Sequence, residues 1–560
     1  MKKRFILLAL LLTAVGAFAQ APDWQWAAQA GGSSNNDYGR SITIDDAGNS
    51  YVTGKFGSTA TFGAFTLTTS GNSDIFVAKM DADGNWLWAN QSGGTGYGND
   101  GLGIAVDNFG NCFVTGYFQY TATFGASSLS SEGAIDIFVA KLDADGNWLW
   151  AIQSSGISYG NKGRGITIDG IGNIYVTGYF QETATFGAYS LTSYGETDIL
   201  VAKIDSNGYW LWASQAGSTS GEYSCGITIG SAGSSYVTGF FNGTATFGAY
   251  SLTTSGNTDI FVAKIDSNGD WQWAVQAGGY WGDISRAIST DAAGNSYLTG
   301  SFNTSATFGS FSLTSFGGTD IFVAKIDANG DWQWVAQAGN YNYADEVGYG
   351  IITDMDGNSY VTGMFCYFGN FGSNLITGSG DNDVFVAKID TDGNWLWATP
   401  ATADDDNIAI CVDNTGKSYL TGSFVNTAVF GNYSLSSSGV RNIYVAKLGS
   451  GTAVDPEIIS ASCTLSNYPN PFNPSTTISF DLNTETSENI ELVIYNLKGE
   501  KIKTLVCGNR VTTNARDSRS TQSVVWNGTD DTGKLVTSGI YFYKLSSPTI
   551  NITRKMILLK

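Results

Sequence analysis

Two short strings return along most of this chain at a fixed spacing, and that recurrence limits the possible folds more than any other feature. Val-Ala-Lys recurs with its lysine at Lys79, Lys141, Lys203, Lys264, Lys325, Lys388 and Lys447, roughly sixty residues apart. A Trp-x-Trp pair recurs with the same spacing, starting at Trp24, Trp86, Trp148, Trp210, Trp271, Trp332 and Trp395. Those pairs hold all but two of the 16 tryptophans, so tandem duplication of one structural unit is the economical source of the pattern.

Within a unit the pattern reads as strands. Ser41 to Asp45 alternates polar and apolar residues with period two, Asp45-Asp-Ala-Gly-Asn49 is turn chemistry, and Tyr51 to Phe56 is a second strand. A connection containing Thr59-Ala-Thr-Phe-Gly63 leaves room for a small hairpin. Ile75 to Met80 is a third strand, Asp81 to Asn85 a second tight turn, and Trp86 to Ala89 a fourth strand. No segment has the 3.6-residue period of a helical solenoid. Four antiparallel strands per unit, repeated, predict an all-β fold, a seven-bladed β-propeller. The phase of the repeat predicts how it closes. A lone fourth strand at Trp24-Gln-Trp26 precedes the first unit, and the array stops after a third strand at Ile443 to Leu448. Pairing the N-terminal strand with the last unit removes two exposed sheet edges.

The strings Gly-Asn-Ser-Tyr-Val-Thr-Gly (48–54), Thr-Ala-Thr-Phe-Gly (59–63) and Asp-Ile-Phe-Val-Ala-Lys (74–79) resemble the bacterial SBBP-type β-propeller repeat. The resemblance spans about 24–448 and implies the fold and a surface location, without a specific chemistry. Residues 20–448 are therefore expected to form the propeller, 449–466 a linker, and 467–560 a separate domain. In that last segment the period is lost, and short alternating strands predict a small Ig-like β-sandwich. Its opening Tyr468-Pro469-Asn470-Pro471-Phe472, together with Ile494 to Gly499, Ser538-Gly539-Ile540-Tyr541-Phe542 and the basic Arg554-Lys555, resembles the type A C-terminal sorting domain of type IX secretion, related to the FlgD Ig-like fold. That resemblance implies an address read by outer-membrane secretion machinery in a Gram-negative-type bacterium, with the protein secreted or attached to the outer cell surface. Residues 1–19 fit an export signal: Lys2, Lys3 and Arg4, an apolar run from Phe5, then Ala17-Phe-Ala19. No other stretch is apolar and long enough for a transmembrane helix.

Composition narrows the function. The formal net charge of −21 disfavours nucleic-acid and anionic-membrane partners. The absence of histidine removes Ser-His-Asp and Cys-His nucleophile systems and the commonest transition-metal ligand. Six scattered cysteines match neither a zinc site nor a dense disulfide framework and read as small buried or half-buried residues, with a Cys463–Cys507 pair in or next to the terminal domain left open. The Asp-Ala-Asp-Gly-Asn string (81–85) lacks the glycine position and terminal acid of an EF-hand loop and reads as a hairpin turn. Neither cofactor nor metal is expected.

A feature present in every unit is architecture, so a ligand site must break the symmetry. By this rule the seven Val-Ala-Lys lysines are expected to be structural partners of the aspartates ending the first strands (Asp45, Asp107, Asp169, Asp291, Asp354, Asp413). The fourth-to-first loops do vary (33–39, 95–101, 280–283, 341–346, 403–407), and they are rich in Tyr, Asn, Asp and Gly, including Tyr280 and Trp281. One position just before each first strand also varies: Arg40, Leu102, Arg164, Cys225, Arg286, Tyr349 and Ile408. Arg40, Arg164 and Arg286, with Tyr349, are expected to meet at the mouth of a central channel and take carboxylate, unless each arginine pairs with an acid such as Asp37 or Asp283. The expected function is binding or adhesion, recognising an extracellular glycan or protein through this variable face. The alternative is a histidine-free glycan-active enzyme using paired carboxylates from Asp345, Glu346 and Asp404 to Asp406. A structural spacer is a third reading.

Overall fold

The computed structural model describes residues 21–449, except 34–35, 97, 158–159, 231–232, 342–343, 381 and 406–407, and residues 465–483, 490–496, 501–508, 519–546 and 551–559. The chain divides into two compact units, Met1–Gly451 and Thr452–Lys560. The predicted export signal, most of the predicted linker, and the Cys463 and Cys507 side chains lie outside the described residues.

The larger unit is all-β, built from β-propeller-like repeats. Its described residues contain seven four-stranded antiparallel sheets, most of them two meandering hairpins taken in chain order. The first repeat shows the plan: Tyr38–Ile44, Ser50–Phe56, Asp74–Met80 and Trp86–Ser92 pair in that order. Each connection between second and third strands forms its own hairpin, Thr59–Phe62 with Phe65–Thr68 in the first repeat. In the fourth and fifth repeats this hairpin merges into long strands such as Ser235–Phe247 and Tyr250–Ile265. First strands lie innermost. Each contacts the first strand of the next repeat, and Ala409–Val412 of the last also contacts Tyr38–Ile44 of the first.

The last sheet is assembled from both ends of the repeat array. Strand Asp23–Ala30 pairs antiparallel with Asn442–Gly449, from Asp23↔Gly449 to Ala30↔Ile443. Aromatic packing shows that this strand occupies the fourth-strand place. In every other repeat the phenylalanine of the small hairpin meets the first tryptophan of the following pair edge-on, as Phe62 meets Trp86 (ring centroids 5.2 Å) and Phe124 meets Trp148 (5.1 Å). In the last repeat Phe430 meets Trp24 at 5.0 Å. The second tryptophan clasps the next repeat: the indole N–H of Trp88 donates to the Ala144 carbonyl (3.1 Å), and that of Trp26 to the Ala82 carbonyl (3.1 Å). These large apolar contacts, common to every copy, explain why the Trp-x-Trp pair is retained; the indole N–H is not satisfied throughout, since that of Trp150 is buried without a hydrogen-bond partner.

The lysines differ from expectation. All seven stand over an aromatic ring of the second strand, from Lys79 over Tyr51 (4.7 Å) to Lys447 over Tyr419 (4.8 Å). Lys79 and Lys388 also reach Asp45 (3.8 Å) and Asp354 (3.0 Å). The aspartates are occupied mainly by their own turns: Asp45 accepts from the Ala47 and Asn49 amides and from the Tyr51 hydroxyl. The ring is thus the lysine's common partner, and the expected ion pair accompanies this cation–π contact at Lys79 and Lys388.

The smaller unit contains a three-stranded sheet (Leu465–Tyr468, Thr476–Asn483, Arg519–Trp526) and a four-stranded sheet (Lys501–Gly508, Ile490–Asn496, Gly539–Ser546, Asn551–Leu558). The two share one core that includes Ile478, Ile494, Trp526 and Tyr543, so the unit is a sandwich.

Candidate functional site

The variable position does not precede the first strand, as the alternation suggested. It lies inside it, on a β-bulge. In the first repeat Gly39 pairs with Gly54 and Ser41 with Thr53, leaving Arg40 unpaired. Leu102, Arg164, Cys225, Arg286 and Tyr349 sit on the same bulge in the next five repeats. The opposing glycine makes the bulge possible: a Cβ on Gly54 would lie 1.9 Å from the Tyr38 carbonyl oxygen. That is the local reason for the recurring Val-Thr-Gly. A bulge re-aims one side chain without disturbing the strand beyond it. These six side chains and Ile408 of the last repeat all line one cavity of about 280 Å³. Two positions further along, an isoleucine from every repeat (Ile42, Ile104, Ile166, Ile227, Ile288, Ile351, Ile410) lines the same cavity with at most 9% of its surface exposed.

Of the expected ligand contacts, Arg40, Arg164, Arg286 and Tyr349 are therefore brought together, whereas Tyr280 and Trp281 are not among the cavity's lining. Those two stand exposed on their loop, rings 5.4 Å apart and perpendicular. The arginines are not equivalent. Arg40 pairs with Asp100 (3.2 Å), a buried carboxylate that Lys55 also approaches (3.5 Å). Arg164 lies against Tyr179, its guanidinium 5.8 Å from the ring centre. Arg286 stands over Tyr349 (5.0 Å), and its Nε is buried without a hydrogen-bond partner. Asp37 and Asp283, the acids considered as arginine partners, do something else. Asp37 accepts from the Gly32 and Gly57 amides, and Asp283 from the Gly279 and Asn303 amides.

These acids belong to a set that sequence reasoning missed. Three residues before each variable position stands a fully buried acid or amide: Asp37, Asn99, Asn161, Glu222, Asp283, Glu346 and Asp405. Most tie the loop into the sheet, as Asn99 accepts from the Gln119 amide and Asp405 from the Ser423 amide, whereas Glu222 accepts from the Ser218 amide and hydroxyl within its own loop. The recurrence at a fixed offset from the variable position was the signal. Burial pushes the Asp37 carboxyl up to about 6. Burial, with the nearby Asp259 charge, pushes Asp283 up to about 7. Glu222 rises to about 7 for the same reason, beside Asp198, and Glu346 to about 9, beside Asp320. Taking a carboxylate out of water favours its neutral form. Of the acids in the paired-carboxylate alternative, Glu346 and Asp405 are thus buried loop ties, while Asp345 and Asp404 are exposed; Asp406 lies outside the described residues.

Among the tail residues singled out from sequence, Phe472 and Tyr541 are core: both pack on Trp526 (5.6 and 5.2 Å), and the Tyr541 hydroxyl donates to the Thr537 carbonyl (2.7 Å). Asn470, between Pro469 and Pro471, pins the last strand by accepting from the Ile557 amide (2.9 Å). Tyr468 closes the strand Leu465–Tyr468, and Gly539 opens the strand Gly539–Ser546. Arg554 and Lys555 remain exposed on Asn551–Leu558.

Fold and site together define a β-propeller-like repeat protein with an appended β-sandwich. More specifically, the chain carries SBBP-type beta-propeller repeats, matched at residues 25–55 and 333–364, and ends in a secretion system C-terminal sorting domain, matched at 466–559. That tail marks a protein of type IX secretion, secreted or attached at the outer cell surface. Among curated proteins, the chain is 25% identical over 504 residues to an uncharacterized WD repeat-containing protein of Acanthamoeba polyphaga mimivirus, covering 71% of this chain and 36% of that one. It is 31% identical over 143 residues to the regulatory protein FlaEY of Caulobacter vibrioides, covering 25% of this chain and 15% of that one. The chain thus spans well under half the length of either relative. Among solved structures it is similar to PorZ, a surface component of the type IX secretion system of Porphyromonas gingivalis (14% identity, 95% of this chain, 60% of that one, TM-score 0.35). Among the described residues no helix is long and apolar enough to cross a membrane.

Proposed function

We propose that the seven sheets are the blades of a seven-bladed propeller closed by the N-terminal strand, and that this ring is a binding or adhesion module working outside the cell. The pairing of Asp23–Ala30 with Asn442–Gly449 and the Trp24–Phe430 and Trp26–Ala82 contacts support the closure. The ligand is an extracellular glycan or protein, taken through the face that carries the fourth-to-first loops. One observation carries this reading. The framework is repeated almost residue for residue, yet the side chains that this register brings to the shared cavity are Arg, Leu, Arg, Cys, Arg, Tyr and Ile. A purely structural channel has no need for such variation. The exposed aromatics Tyr280, Trp281 and Tyr341 on the loops suit stacking on sugar rings or packing on a protein partner. The sorting domain supplies the second partner, the outer-membrane secretion machinery that reads it.

A glycan array and a cell-surface protein library, probed with the mature chain, test this. Selective binding that is lost when the cavity residues are changed is expected. Binding that survives substitution of Arg164, Arg286 and Tyr349 and of the loop aromatics together would refute the loop face as the ligand face.

A further inference from the structure

The cavity is divided chemically. On one side Arg40 is neutralised by Asp100, and its neighbours in the ring, Leu102 and Ile408, are apolar. On the other side, in four consecutive repeats, come Arg164, Cys225, Arg286 and Tyr349. Among the described residues no carboxylate lies within 4.0 Å of the Arg164 or Arg286 nitrogens. Cys225, between them, does not neutralise them either. Burial raises its thiol above the ordinary range although both guanidiniums oppose this, so it stays protonated at neutral pH and offers an S–H. Two guanidiniums thus keep their charge at one side of a cavity in a protein of net charge −21. Arg286 is held in place by the Tyr349 face and retains a buried, unpartnered Nε.

An unpartnered buried donor is costly unless water or a ligand completes it. Guanidinium forks match carboxylate bidentately and keep that preference in a partly desolvated site. The small volume, about 280 Å³, suits one terminal sugar residue and not an extended chain. The apolar half opposite the arginines suits the C–H face of such a ring. We propose that the Arg164–Cys225–Arg286–Tyr349 sector is a carboxylate subsite that takes the acid group of a terminal acidic sugar. This inference rests on the reading of the loop face as the ligand face. Arg164 and Arg286 hold the carboxylate, Tyr349 orients Arg286, and Arg40 belongs to the framework through Asp100.

Calorimetric titration of the mature chain tests it with four probes: a galacturonate disaccharide, sialyllactose, lactose and inorganic phosphate. The two acidic sugars distinguish uronic from sialic acid as the source of the carboxylate. At least one is expected to bind, with lactose about tenfold weaker or worse, as loss of a charge-assisted pair implies. Arg164→Ala and Arg286→Ala are each expected to weaken binding about tenfold or more, and added salt to weaken it further. Arg286→Lys keeps the charge without the fork, so an intermediate loss with an unchanged melting temperature separates lost recognition from lost folding. Lactose binding as tightly as the acidic sugars, with the arginine variants unaffected, would overturn the subsite while leaving the loop face as a glycan-binding face. Phosphate outcompeting both acidic sugars would also overturn it. Failure of all four probes to bind would overturn the subsite, and the array and library experiment would then decide the broader reading alone.

Discussion

If the N-terminal strand completes the last blade, Trp24 is worth as much as its counterpart in the middle of the array. Trp24 is 9% exposed, packs edge-on against Phe430 at 5.0 Å, and donates its indole N–H to the Pro400 carbonyl at 3.3 Å. Trp148 has the same surroundings: Phe124 at 5.1 Å and the Gln91 carbonyl at 3.2 Å. Removing a packed tryptophan costs about 3–5 kcal/mol, and the lost hydrogen bond adds about 1 kcal/mol. A strand near the end of an open array is expected to fray, because termini held by few contacts contribute little. The informative quantity is therefore a difference. Trp24→Ala and Trp148→Ala are each expected to lower stability by about 4–6 kcal/mol and to agree within about 1 kcal/mol. Urea unfolding followed by circular dichroism, read at the first transition because a large repeat array need not unfold in two states, measures both. A Trp24→Ala cost below about 1 kcal/mol beside a full Trp148→Ala cost would show that the strand is an appended flap and not the edge of a ring.

Other expectations follow from single groups. Asp283 and Glu222 have carboxyls raised to about 7, and Glu346 to about 9, because burial favours their neutral forms. The folded state then holds more protons than the unfolded chain above about pH 4. The contribution of these three groups to stability is therefore greatest near and below that pH and is lost as pH rises through 7 and towards 9. Thermal melts from pH 5 to 9 are expected to show the decline, and Glu346→Gln to flatten its upper part; a melting temperature that rises over this range would contradict the burial argument. Arg40→Ala is expected to cost about 1–3 kcal/mol in urea unfolding, because Asp100 is buried and keeps only the more distant Lys55; no measurable cost would mean that Lys55 suffices. Deleting 541–560 removes most of two of the four strands in one tail sheet and is expected to leave the protein in the periplasm, its repeat unit still folded. Cell fractionation and protease protection read this, and normal surface exposure of the truncated protein would remove the sorting role.

The framework was largely legible because it repeats: period two, Asp-Gly-Asn turns and paired tryptophans each recur, so an accidental match in one unit is outvoted by the others. The variable register Arg40, Arg164, Arg286 and Tyr349 was legible for the same reason, as the one column without a rule. Its geometry was not. Period-two alternation starts cleanly at Ser41, so Arg40 reads as the residue before a strand, whereas Tyr38 and Gly39 already pair. The cue was Gly54, which faces the bulge from the neighbouring strand and cannot carry a Cβ there. The buried ties were misread for a different reason. Glu346 and Asp405 sit in runs of acids, which ordinarily mark solvated loops, and only the fixed offset shared with Asp37 and Glu222 distinguishes them. Tyr280 and Trp281 were chosen for residue type, and sequence carries no measure of their distance from the cavity.

If this exported repeat protein binds a ligand where its symmetry breaks, the ligand must sit in the shared cavity. A crystal structure of the mature chain grown with the tighter-binding acidic sugar measures that directly. Seven blades closed by Asp23–Ala30 are expected, with the sugar carboxylate within hydrogen-bond distance of both Arg164 and Arg286. A sugar bound only at the outer rim, or an array whose first strand is unpaired with Asn442–Gly449, would contradict this expectation.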